Sequence, residues 1–267
     1  MKPLTVVRKG DLEYMVADHI SVPHCFTTRF GGVSEGYLAS MNIGMHRGDL
    51  PQNVEENYRI LGRELGFDLQ DLVLTRQIHS DIVRCVTRED ANGVDHHRYP
   101  ECDALITNDP GVALVVFSAD CTPILLHDPV TGAVGALHAG WRGTAAALAE
   151  KTVKAMERHF GCKPENIRAA IGPNIGGCCF ETHGDVPEAM RKALGAEAET
   201  YITPNGEKYY VNLKGINAAF LKRAGVEHIY CATQCTACEN HRFWSHRTVG
   251  TQRGSQGAII VCKEAVL

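Results

Sequence analysis

Short apolar runs separated by Gly- or Pro-marked breaks dominate the chain, and their period changes along it. At the start LTVVRK, LEYMVA and HCFTTRF are brief, β-branched or aromatic, and bounded by Gly or Pro, which predicts strands. A glycine-punctuated loop, GGVSEGYLASMNIGMHRGDL, follows. Over Pro51–Leu65 the period becomes helical: Val54, Tyr58, Leu61 and Leu65 share a face, and Gly66 suits the stop. Next, LVLTRQIH, DIVRCV, DALIT, VALVVFS, PILLHD and AVGALHAG predict consecutive strands. A helix over 143–160 places Leu148, Thr152, Ala155 and Met156 on one stripe. IRAAIG and YYVNL read as strands, 186–194 and 213–224 as helices, and EHIYCA and GAIIVC as closing strands. The regular βαβ rhythm of a doubly wound sheet is missing, so the expected class is a mixed, layered α+β fold. Without an internal repeat, low-complexity tract or long Pro/Ser-rich linker, residues 1–267 read as a single domain.

Charge narrows the functional classes. The 27 Lys and Arg stand against 31 Asp and Glu, a net charge of -4, which argues against nucleic acid or an acidic membrane as partner. The most apolar run, from Val112 to Leu126, is too short for a membrane helix and contains Asp120. The opening MKPLTVVRKGDLEYMV lacks a signal peptide's apolar core, so the expected location is cytoplasmic. Eleven cysteines, an odd number, speak against a disulfide framework there. Core filling, catalysis and metal binding remain, and core is the commonest fate of a free Cys.

Three residues sit where strands end: His79 in RQIHSD, Cys121 in SADCTP and His138 in LHAGWRG. A side chain at a strand end emerges from the sheet into a cleft. Cys121 lies between Asp120 and Pro123, an odd setting for an inert buried thiol, and the small residues after His138 let backbone approach a ligand. One Cys and two His with room for water is the composition of an open catalytic zinc site. Cys121 and His138 are equally the composition of a nucleophile pair in a thiol hydrolase acting on an amide, and spacing does not separate the two.

At these residues the sequence resembles a known family. TRFGGVSEGYLASMNIGMHRGD, RQIHSD, CDALIT, SADCTPILLHD, GALHAGWRGT, AAIGPNIGGCCFE and FWSHR are similar, in order, to the signatures of the YfiH-type laccase-domain family, also called the multicopper polyphenol oxidase or purine nucleoside phosphorylase family. The resemblance runs from about Cys25 to Val261. It implies zinc on His79, Cys121 and His138, and a two-sheet β-sandwich flanked by helices, similar to the cytotoxic necrotizing factor catalytic domain. It also implies phosphorolysis of adenosine, inosine and methylthioadenosine, with deamination of adenosine. The partners expected are then a small nucleoside and phosphate, the protein being a monomer or small homo-oligomer.

Phosphorolysis needs guanidinium groups for phosphate, and Arg47 in MHRGD, Arg142 in GWRG and Arg247 in SHR are the candidates. Asn42 in SMNIG is a candidate for ribose or base. Asp49 is expected to cap the following helix, and the Gly172–Pro173 turn with Glu181 to shape the pocket. The stretch from Asn240 to Ile260 holds Arg242, Arg247 and Arg253 and suits an anionic ligand. Where the family often has an arginine and an acid after this SHR element, the chain has Thr248 and Val249.

Copper oxidation is a rival reading, because two His and a Cys suit a copper centre, so Cu2+ is an alternative to Zn2+. A trinuclear copper cluster usually uses His-x-His pairs, and no two histidines here are two residues apart. The base-deaminase signature H-x-E with P-C-x-x-C is absent as well. The remaining alternatives are a cell-wall precursor as substrate and a zinc-stabilised interaction protein without turnover. Cys235 and Cys238 form a CxxC near Cys231, His241 and His246, but no second ligand pair follows at zinc-finger spacing. Cys178–Cys179 reads as a packed turn.

Overall fold

Leu114 and Val116 point one way from their strand and Ala113 and Val115 the other, and all four are buried. A strand covered on both faces needs a layer on each side, which explains its unbroken apolar run. In this computed structural model, which describes residues 1–265, the strands are β1 (Thr5–Lys9), β2 (Leu12–Val16), β3 (His24–Thr27), β4 (Leu72–Leu74) and β5 (Val83–Cys85). They continue with β6 (Ala104–Thr107), β7 (Ala113–Ser118), β8 (Thr122–His127), β9 (Val134–Ala139) and β10 (Arg168–Ile171). The last are β11 (Glu181–Thr182), β12 (Ile202–Asn205), β13 (Lys208–Val211), β14 (His228–Cys231) and β15 (Gln256–Val261). The helices are α1 (Pro51–Leu65), α2 (Trp141–Ala145), α3 (Leu148–Phe160), α4 (Asp185–Leu194), α5 (Leu213–Arg223) and α6 (His246–Val249).

One sheet runs β1-β2-β3-β15-β7-β4, the other β14-β10-β8-β9-β6-β5, and both mix parallel with antiparallel pairs. Between them lies an apolar layer of Phe26, Leu114, Val116 and Ile260 against Leu105, Leu125, Val134 and Ala170. The outer face of the first sheet packs on α1 through Val54, Tyr58, Leu61 and Leu65. The outer face of the second packs on α3 and α5 through Val153, Met156, Ile216 and Phe220. The expected α+β sandwich flanked by helices is therefore the fold. No helix of the described residues is long and apolar enough to cross a membrane.

Three local expectations change. The run LVLTRQIH is strand only to Leu74, because its polar half turns away to carry Gln77 and His79 to the rim. The helix expected over 143–160 is two helices, α2 and α3, broken where Ala147 takes a left-handed φ of 57°. β11, β12 and β13 form a third, small sheet, of which only β13 was anticipated.

Two connections matter for function. The turn 119–121 leaves β7 in the first sheet and enters β8 in the second, and the segment from β4 to β5 makes the same change of sheet. Cys121 and His79 lie on these crossings, and Pro123, just after Cys121, is paired with His138 of β9. Sheet topology thus brings together residues that are remote in sequence.

Candidate functional site

His79, Cys121 and His138 converge, with their donor atoms within 4.8 Å of one another. His79 Nε2 is 3.9 Å from Cys121 Sγ, and the two imidazoles meet edge to face with centroids 5.0 Å apart. Donors about 2.0–2.3 Å from a tetrahedral zinc stand roughly 3.3–3.6 Å apart, so small side-chain movements suffice to close the set on an ion. Gly140 makes this approach possible: a Cβ there would lie 2.8 Å from His79 Cδ2 and 3.3 Å from Cys121 Sγ.

Both crossing turns hold unusual backbone. His79 has φ 59° and Asp120 φ 93°, left-handed values that cost a non-glycine residue about 1–3 kcal/mol unless the surroundings impose them. Asp103, wholly buried, imposes the first. Its Oδ1 accepts from His79 N at 3.1 Å, and its Oδ2 from Ile78 N at 3.2 Å, Ser80 N at 2.6 Å and Ser80 Oγ at 2.8 Å. The same Oδ1 lies 2.9 Å from His138 Nδ1. That bond fixes the ring and leaves His138 Nε2 for the cleft, the carboxylate–histidine–metal arrangement. Asp120 is held through Ile175 N to its carbonyl at 2.9 Å, Thr236 Oγ1 to Oδ1 at 2.6 Å and Arg247 N to Oδ2 at 2.7 Å.

Electrostatics match a metal-binding donor set. Burial raises the Cys121 pKa, but the charges and hydrogen bonds of His138 and His79 outweigh it and bring the thiol down to about 6. Burial likewise opposes charge on His138, yet the Cys121 thiolate and the Asp103 carboxylate hold its pKa up, at about 9. Asp103, despite its burial, is kept at about 2 by His138 and the Ser80 donors. A ready thiolate and two imidazoles, one of them braced by a carboxylate, fit a divalent metal ion.

His79 and His138 face a cavity of about 630 Å³, within the usual range for small-molecule sites. Arg47 and Arg253 also line it. Arg47 Nε donates to Ser255 Oγ at 3.1 Å and Arg253 Nη1 to Gly254 O at 3.0 Å, so neither of these bonds engages a carboxylate. Burial, then the nearby charge of Arg47, pushes Arg253 down to about 10. Two partly buried guanidinium groups repelling one another attract an anion. Phe117 and Tyr99 add aromatic faces.

Other sequence candidates stand apart. Asn42 is buried and brackets the rim, donating to Gly44 O and Asp49 and accepting from Gly44 N and Ser255 N. Arg142 does not line the cavity and lies over Trp141 with its guanidinium 4.3 Å from the ring centroid. Arg247 is outside too, donating to the carbonyls of Cys179 (3.0 Å) and Glu181 (3.1 Å). Asp49 does not cap α1, whose N-cap is Leu50 with no side-chain bond; its carboxylate accepts from Leu50 N, Ser34, Asn42 and Asn53, not from Arg47. Gly172 packs against Phe26, where a Cβ would come within 2.2 Å, and Glu181 pairs with Lys208. Asp103, at the head of the apolar run of CDALIT, carries no local signal of a functional role, and Arg253 stands out in the sequence only as part of a basic stretch.

Comparison with known proteins identifies the family and the fold. Residues 23–263 match the family described as multi-copper polyphenol oxidoreductase laccase. A "Purine nucleoside phosphorylase" of Deinococcus radiodurans is 37% identical over 252 residues, covering 93% of this chain and 92% of that one. "Purine nucleoside phosphorylase YfiH" of Escherichia coli is 37% identical over 226 residues, covering 85% and 88%. The crystal structure of YlmD from Geobacillus stearothermophilus superposes with a TM-score of 0.91 at 33% identity, over 98% of this chain and all of that chain (100%). That of Bacillus licheniformis YfiH gives 0.91 at 32% identity, over 97% and 99%. The chain belongs to the YfiH/YlmD-type laccase-domain family.

Proposed function

We propose that the protein is a zinc-dependent purine nucleoside phosphorylase. With phosphate, it converts adenosine or inosine into free base and ribose 1-phosphate, and methylthioadenosine into adenine and 5-methylthioribose 1-phosphate, and it deaminates adenosine as a second activity. The observation that carries this reading is a His79/Cys121/His138 donor set at a cavity that also presents Arg47 and Arg253. Relatives named purine nucleoside phosphorylase support the substrate class.

When bound, zinc supplies Lewis acidity and lowers the pKa of a water toward about 7. The chain's own groups do the rest. Arg47 and Arg253 receive phosphate and hold it as a nucleophile toward the ribose anomeric carbon. Their charges also offset the anion as an oxocarbenium-like carbon develops. Phe117 and Tyr99 offer the purine an apolar face. Asp103 keeps the His138 Nδ1 proton in place and the ring pointed at the cleft.

The low Cys121 pKa also favours a second reading, a Cys–His thiol hydrolase acting on an amide or cell-wall precursor. Chelation separates the two: it abolishes phosphorolysis by a zinc enzyme and leaves a thiol hydrolase active. The test is base release from inosine, adenosine and methylthioadenosine by zinc-loaded and chelator-treated protein, with and without phosphate. Phosphate-dependent release, lost on chelation and restored by zinc, is expected. Release without phosphate, or release indifferent to chelation, overturns the proposal.

A further inference from the structure

Away from the cavity, four more cysteines converge. Cys178 and Cys179 stand on a tight turn in which Cys179 N and Phe180 N both donate to Gly176 O, at 3.0 and 2.9 Å. Cys235 and Cys238 stand on a facing turn closed by Glu239 N donating to Cys235 O at 2.9 Å. The four sulfurs lie within 4.8 Å of one another and all are free thiols. Cys238 Sγ is 3.7 Å from Cys178 Sγ and 3.4 Å from Cys179 Sγ.

Those separations decide between chemistries. Four sulfurs about 2.3 Å from a tetrahedral zinc stand roughly 3.8 Å apart, whereas a disulfide requires about 2.05 Å. Core packing does not explain the cluster either, because Cys178 and Cys238 are exposed. The surroundings suit a thiolate at Cys235. Gly176 N donates to Cys235 Sγ at 3.1 Å, and a Cβ on Gly176 would crowd Cys178 Sγ at 3.0 Å and Cys235 Cβ at 3.2 Å. Lys214 is buried, bonded to Gln234 O beside Cys235, and within electrostatic reach of Cys178 and Cys235. A zinc ion held by four thiolates carries a double negative charge, and a buried ammonium beside it offsets part of that charge.

We propose that Cys178, Cys179, Cys235 and Cys238 form a structural zinc site, distinct from the His79/Cys121/His138 centre. The facing turns that carry it are also tied to Cys121's neighbour. Asn174 bridges to Cys235, Thr236 Oγ1 and Arg247 N both bond the Asp120 carboxylate, and Arg247 Nη1 bonds Cys179 O. Zinc here clamps the two turns that fix the strained Asp120–Cys121 corner.

The test is the metal content of full-length protein loaded with zinc(II) and desalted. Unmodified protein should hold two zinc ions per chain, and both Cys235→Ser/Cys238→Ser and His79→Ala/Cys121→Ser should hold one. Because the cysteine variant is at risk of misfolding, the His79→Ala/Cys121→Ser protein is also loaded with cobalt(II). It should show the near-ultraviolet sulfur-to-cobalt band and the intense visible bands of a tetrahedral tetrathiolate. A zinc-free or cobalt-silent His79→Ala/Cys121→Ser protein overturns the proposal, as does a disulfide among the four cysteines found by mass spectrometry of the freshly purified protein, or stoichiometric iron in their place. Failure of the phosphorylase reading is seen separately, in base release, and leaves untouched the one ion expected in the His79→Ala/Cys121→Ser protein.

Discussion

Asp103→Asn is the most informative single change in the candidate cleft. The carboxylate receives the His138 ring and four donors from the turn 78–80 that carries His79, so it positions two of the three proposed ligands at once. Its pKa of about 2, against an ordinary 3.8, corresponds to roughly 2–3 kcal/mol favouring the ionised folded state, at about 1.4 kcal/mol per unit. Asn keeps the shape but turns an amide toward groups that already donate, and removes that stabilisation. Because the folded pKa is depressed, the contribution is complete above about pH 4 and fades as pH falls through 2. Urea unfolding of metal-free protein should therefore show Asp103→Asn less stable by about 2–3 kcal/mol at neutral pH, with the gap narrowing below pH 4. Competition with a chromophoric chelator should show zinc bound 10–100-fold more weakly, about the usual cost of removing a carboxylate behind a histidine ligand. Unchanged zinc affinity together with a pH-independent stability gap would refute the assignment of Asp103 as the residue that positions His79 and His138.

Three further predictions follow from the same geometry. In chelator-treated protein, iodoacetamide should modify Cys121 with a rate that falls away below about pH 6 and that zinc suppresses; a midpoint in the ordinary thiol range contradicts the imidazole-stabilised thiolate. Gly140→Ala should lower phosphorolysis by about 100-fold by pushing His79 and Cys121 apart, read as kcat at saturating zinc, and near-normal turnover contradicts the close approach. Arg253→Met should raise the KM for phosphate roughly 10–100-fold, the loss of one charged hydrogen bond, while leaving the KM for nucleoside within about twofold; equal effects on both would remove Arg253 from the phosphate site.

Much of the fold was legible because its strands and helices bury continuous or periodic apolar faces: Ala113–Ser118 and Pro51–Leu65 stand where their patterns put them. What the pattern missed lacked such a face. β12 is ITPN, exposed beyond Ile202, and Ala147 interrupts a helical stripe without breaking its periodicity. The metal-ligand candidates were legible from their motifs, but not all as strand-end residues, since His79 lies on the loop beyond β4 and His138 within β9; their convergence depends on two changes of sheet that no local period records. Arginine chemistry was legible only by type: Arg47 reaches the cavity, whereas Arg142 lies over Trp141 and Arg247 braces carbonyls. The four-cysteine cluster illustrates the same limit. Each pair has its partner in a distant loop, brought near by the parallel pairing of β10 with β14, so a search for regular ligand spacing passes over it.

The central claim is that Cys121, as part of a metal centre, supports phosphate-dependent cleavage of purine nucleosides. Its most direct test is ribose 1-phosphate formation from inosine by Cys121→Ala beside unmodified protein, both loaded with zinc and matched for folded content by circular dichroism. The account predicts product from the unmodified protein and a loss of at least about 100-fold in the variant, the scale of removing a group that holds the reacting geometry. Full phosphorolysis by Cys121→Ala would contradict it.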